Sequence, residues 1–162
     1  KVQHRAHLKW FQLMIEGDNA KLKRFKSIDT NLEEVMDVDM VVGLEGSPFV
    51  VVGTREGCGV VRCFDYQGFW IWNVDGERLD ADFRPIAVRY LRPNFILVLG
   101  DTGLHVLSFH GDVFQRYLAG SLDIERPIRM TCIHSDTERP LGGFQIIHTD
   151  GSKMVEYLIT ES

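Results

Sequence analysis

The run Phe95-Ile96-Leu97-Val98-Leu99 places apolar side chains at five successive positions. Side chains of a strand alternate between its two faces, so neither face of this one can point at water and a layer must cover each side. Turn residues bracket the run. Gly100-Asp101-Thr102-Gly103 and then His110-Gly111-Asp112 separate it from two further apolar runs, so the stretch from Asn94 to Tyr117 reads as a β-meander. A lone meander cannot cover its own faces, and the cover has to come from the rest of the chain.

The rest of the chain repeats the same plan. Lys9 to Ile15 and Ala20 to Ile28 flank the turn Glu16-Gly17-Asp18-Asn19 and read as a hairpin. Strands are expected from Val35 to Leu44, from Pro48 to Gly53, from Val60 to Phe64 and from Phe69 to Trp72, with a polar loop from Asp75 to Arg84. Pro85 to Leu91 leads into the central meander, Leu118 to Arg126 connects, and strands follow at Ile128 to Ile133, Phe144 to His148 and Met154 to Ile159. The approximate units are therefore 1–28, 35–76, 85–120 and 127–160 of a single 1–162 domain, the last of them partial.

Phe49, Phe95 and Phe144, spaced 46 and 49 residues apart, open corresponding strands in this reading, and Gly57, Gly103 and Gly151 follow them at similar distances. That period is the one expected of four-stranded blades stacked radially, each hiding the faces of its neighbours. The fold class is thus all-β, a β-propeller-like array of about three four-stranded meander blades. Phe95 is expected in the core, with Phe95→Ala costing about 3–5 kcal/mol. Thirteen strands fill slightly more than three blades, and the sequence starts at Lys1 without a Met, so the array is expected to belong to a larger or partner-completed propeller.

The segments 95–113, 49–72 and 144–159 resemble those of WD-repeat-like β-propellers at the level of pattern. No Trp-Asp pair ends the third strands and no Gly-His pair opens the blades, so the hydrogen-bonded network of that family is not carried over. The resemblance implies a module for protein–protein contact.

Composition narrows the function classes. A net charge of −5 removes the general electrostatic reason for binding nucleic acid or an anionic membrane over a broad face, and no apolar run is long enough to span a bilayer. Cys58, Cys63 and Cys132 are odd in number and lie in apolar sequence, which fits reduced thiols of an intracellular protein, cytoplasmic or nuclear.

No catalytic, metal or cofactor constellation is read from the sequence. Asp37 and Asp39 lie in the segment from Ser27 to Gly46, which holds six acidic residues and no Lys or Arg; they read as a wet strand edge, with a cation site as the sharper alternative. Asp101 and Asp150 read as turn residues, and His105, His110, His134 and His148 would need to converge to bind zinc. Trp70 and Trp72 fall on one side of an outer strand, where they either pack against a neighbouring loop or anchor a partner. The function that emerges is a non-catalytic scaffold within a larger complex, its partners being other chains, the remainder of a longer polypeptide, or a second copy. A hydrolase or lyase working at the central channel is the alternative.

Overall fold

A computed structural model describes residues 5–42, 45–75, 78–80 and 82–161. The chain is all-β, with no α-helix among the described residues. Strands β1 (His7–Glu16) and β2 (Asn19–Asp29) form a hairpin. Strands β3 (Glu34–Met40), β4 (Phe49–Arg55), β5 (Cys58–Phe64) and β6 (Trp70–Val74) form a four-stranded meander, sheet 1. Sheet 2 repeats that order with β7 (Pro85–Leu91), β8 (Phe95–Gly100), β9 (Gly103–Ser108) and β10 (Val113–Leu118). Sheet 3 has β11 (Arg129–Ile133), β12 (Gly143–His148) and β13 (Lys153–Leu158). All pairings are antiparallel, as hairpin connections require. The strand expected over 35–44 ends at Met40, and Leu44 lies outside the described residues.

The sheets stack face to face in chain order, and an apolar cluster fills each interface. Ile28, Phe49, Val51 and Phe64 fill the one between the hairpin and sheet 1, with Leu8 and Trp10 packed against them. The opposite face of sheet 1, through Val50, Val52 and Val61, meets Val88, Ile96, Val98 and Leu107 of sheet 2. Ala87, Leu97, Leu99 and Leu104 then bury the second face of sheet 2 against Met130 and Ile146. The unbroken apolar character of β4 and β8 follows, since each is covered on both sides. At one edge of the stack, β7 lies against both β3 and β11.

Connections between sheets carry part of the core. Leu32 is buried after β2, Leu79 and Phe83 after β6, and Leu122 and Ile124 after β10. The span 75–84, expected as a merely polar loop, thus places two large side chains between sheets 1 and 2; Gly76, Glu77 and Ala81 lie outside the described residues. An isolated apolar residue in a polar connection is the signal for such a plug.

The hairpin turns that precede the last strands match atom by atom. Asp65 Oδ1 accepts from the N–H groups of Gln67 and Phe69, both at 2.9 Å, and Ser108 Oγ accepts from those of His110 and Asp112, both at 3.1 Å. Gly68 and Gly111 follow with φ of 100° and 88°, which glycine adopts without a Cβ penalty. Each also leaves room for a side chain from the preceding unit, Ile28 on Gly68 and Trp72 on Gly111, where an added Cβ would approach to 2.8 Å.

The register of the repeat differs by one residue from the sequence reading. Phe49 faces the unit before its own sheet, and so do Phe144 and Ile96; Phe95 faces the sheet that follows. Phe95 is 36% exposed, in edge-to-face contact with Phe114 at 5.8 Å, whereas Ile96 is 0% exposed. The expectation of Phe95 as a core position is therefore corrected, because a one-residue shift along a strand exchanges the faces.

Candidate functional site

Trp70 and Trp72 sit on β6, the outer edge of sheet 1, but not on the same side. The β5–β6 register pairs Cys63 with Trp72 and Phe64 with Trp70, so Ile71 is an extra residue that forms a bulge. That bulge turns the two indoles to opposite faces. Trp72 is half-buried against the sheet 1–sheet 2 cluster, its Nε1 donating to the Phe109 carbonyl at 2.8 Å and its ring resting on Gly111. It locks one sheet to the next. Trp70 is 50% exposed and stands edge-on to Phe64 at 6.4 Å.

Arg62 holds Trp70 from beneath, its guanidinium 4.1 Å from the ring centroid. This arginine is buried and donates to Asn73 Oδ1 at 2.7 Å and to the carbonyls of Thr30 and Asn31 at 2.7 and 3.2 Å. Burial pushes its pKa down to about 10, so it is still charged at neutral pH. The donor fork of Arg62 ties the β2–β3 connection to sheet 1 and fixes the indole above it. An aromatic side chain held in one orientation loses little freedom on binding, which is the property of an anchor.

Asp37 and Asp39 are engaged inside the fold. Asp37 Oδ2 accepts from Val88 N–H at 3.0 Å and from Arg89 at 2.5 Å, and Asp39 Oδ2 accepts from Tyr90 N–H at 2.7 Å. The carboxylates of β3 satisfy donors along the edge of β7, an inter-sheet clamp rather than the wet edge their alternation suggested. Their second oxygens accept from Val38 and Met40 N–H. The sequence signal for the clamp is their spacing of two, which puts both on the face toward sheet 2.

The histidines do not converge. His105 is buried edge-on to Phe83 at 4.4 Å with Asp80 Oδ2 at 3.5 Å; burial holds its pKa below the ordinary value. His148 is buried and accepts from Glu125 N–H through Nδ1, while His110 packs on Phe109. Asp101 accepts from Arg84 N–H, and Asp150 pairs with Arg126 at the surface. Among the described residues no group of His, Cys, Asp and Glu is arranged to hold a metal ion. An open cleft of about 700 Å³ lies where β3, β7 and β11 meet, lined among others by Asp39, Tyr90, Arg92, Cys132 and His134. Its Asp39 is already committed to backbone donors.

No family model and no curated protein matches the chain. Exposed apolar side chains are spread over the surface, Phe69, Phe114 and Leu118 among them, and two groups form rows: Phe11, Leu13, Ile15 and Leu22 on the hairpin, and Met36, Val38, Met40 and Val42 on and just after β3. No helix among the described residues is long and apolar enough to cross a membrane.

Proposed function

We propose that the chain is a non-catalytic β-propeller-like module, related in plan to WD-repeat-like propellers, that presents surfaces for assembling a larger intracellular complex, cytoplasmic or nuclear. The observation that carries the reading is the pair of exposed apolar rows, on the hairpin and along β3, on a stack whose Asp37, Asp39 and His148 are engaged in contacts within the fold. Meanders stacked face to face with their first strands adjacent are the arrangement expected of blades around an axis. Exposed apolar rows of this extent mark contact surfaces.

Trp70, braced by Arg62, is the anchor residue of this reading. The test is co-purification under native conditions from the cells that make the protein. The chain is expected to elute with other polypeptides, and Trp70→Ala, which removes an exposed ring, to weaken that association about 30-fold or more. Elution as a lone chain, with the variant indistinguishable, would refute the proposal.

A further inference from the structure

We infer that the β1–β2 arm of one molecule lies on the β3 strand of a second copy, in a reciprocal exchange that closes a two-fold dimer. The inference rests on the assembly reading above and names its partner and surface.

The arm changes character along its length. At its root Leu8, Trp10 and Ile28 share one face and pack on sheet 1, with Lys26 over the rings of Trp10 and Tyr66. A bulge at Phe25, where Trp10 pairs with Lys26 and Phe11 with Arg24, shifts the register. Beyond it the opposite face becomes largely apolar: Phe11, Leu13 and Ile15 lie beside Arg24, Leu22 and Ala20, with Ile15 71% and Leu22 70% exposed. His7, Lys9, Ser27 and Asp29 occupy that same face at the root, so the apolar patch belongs to the projecting end alone. A two-stranded hairpin is marginal in water without a covering layer.

The matching vacancy is on sheet 1. The hairpin is two strands wide and covers β4 and β5, whereas Val38 and Met40, on the same face of sheet 1 as Phe49 and Val51, stay exposed, as does Met36 at the β3 bulge. The uncovered inner strip calls for added strands, and the projecting arm offers two, Phe11–Glu16 paired with Asn19–Arg24.

Charge selects the same pairing. Residues 1–28 hold seven of the 18 Lys and Arg and two of the 23 Asp and Glu, a net of +5 in a chain of −5, which leaves −10 on the rest. Arg24 shares the contact face of the arm with Phe11, Lys21 and Lys23 line its second face, and β3 lies in the segment 27–46 that contains no cation. Arm against arm would oppose like charges; arm against β3 joins opposite ones. A contact of roughly 20 by 10 Å is small for a stable dimer, and two-fold exchange makes it twice.

Sedimentation equilibrium of the 162-residue chain tests the exchange. The expected result is a monomer–dimer equilibrium that weakens with added salt, and Leu22→Asp, at a solvent-facing position of the free arm, should give monomer. Lys21→Glu with Lys23→Glu is expected to weaken the dimer about tenfold, as is Glu34→Lys with Glu45→Lys, and the chain carrying all four changes to recover it. A wild-type chain that stays monomeric up to its solubility limit overturns the inference, as does failure of the fourfold variant to recover. Binding of the arm to phosphatidylserine vesicles by a chain that does not self-associate also overturns it. A monomer that still co-purifies with other polypeptides leaves the assembly reading standing, whereas a partner-free monomer removes both.

Discussion

Adjacent residues on β8 provide a sharp test of the register. Ile96 is completely enclosed between sheets 1 and 2, while Phe95 sits at the start of the strand, 36% exposed, with Phe114 as its aromatic neighbour. Replacing Ile96 by Ala removes the equivalent of about three methylene groups, roughly 2.4 kcal/mol of transfer free energy, and leaves a sealed cavity that adds about 1 kcal/mol. The expected cost is about 3–4 kcal/mol. Phe95→Ala removes a larger group, but from a site that water reaches, so no sealed cavity forms and only part of the transfer term is lost. About 1–2 kcal/mol is expected there. Urea unfolding of both variants measures the difference: with a slope of about 2 kcal/mol per molar, the midpoint should fall by about 1.5–2 M for Ile96→Ala and by under about 1 M for Phe95→Ala. A Phe95→Ala cost equal to or above that of Ile96→Ala would mean that sheet 2 is shifted by one residue and that its faces are exchanged.

Gly111→Ala, which sets a Cβ against the Trp72 ring at a positive φ, is expected to cost about 1–3 kcal/mol by denaturant midpoint, while Gly120→Ala, with open space around it, should be near neutral. Burial pushes the thiols of Cys63 and Cys132 up to about 12 and about 11, while Cys58 is exposed. A disulfide reagent at neutral pH should therefore modify Cys58 promptly, Cys132 beside the open cleft slowly, and Cys63 only after unfolding; three fast equivalents would contradict the packing. His105 is held below its ordinary pKa, first by burial and then by Arg116, with Asp80 opposing. As pH falls below about 6.5 the unfolded chain takes up this proton before the folded one, so stability drops over that window. Urea midpoints at about pH 7.5 and 5.5 should show the loss, and His105→Asn should flatten it.

Much of the candidate surface was hidden from a sequence reading. Trp70 and Trp72 are two residues apart and alternate like any strand pair, so nothing local announces that Ile71 bulges and sends them to opposite faces. Asp37 and Asp39 read equally well as solvated carboxylates, because their partners, the N–H groups of Val88 and Tyr90, are some fifty residues away. Leu79 and Phe83 are isolated in a polar connection, and only the gap between two sheets explains their burial. The exposed rows on the hairpin and β3 look, as sequence, like any other half-buried strand.

What the sequence determined by itself is the local plan: where apolar runs of strand length lie, where Gly, Asp and Ser turn the chain, and that the unit recurs. These features depend on side-chain alternation and turn geometry within a few residues, and the thirteen strands among the described residues appear where that logic places them. The tertiary structure decided the rest. Which face of a strand looks backward and which forward is a matter of a single residue of register, set by the bulges and by the sheets on either side, so Ile96 rather than Phe95 takes the place of Phe49. It also decided which apolar rows are left uncovered, because exposure depends on what packs opposite a strand and not on the strand alone.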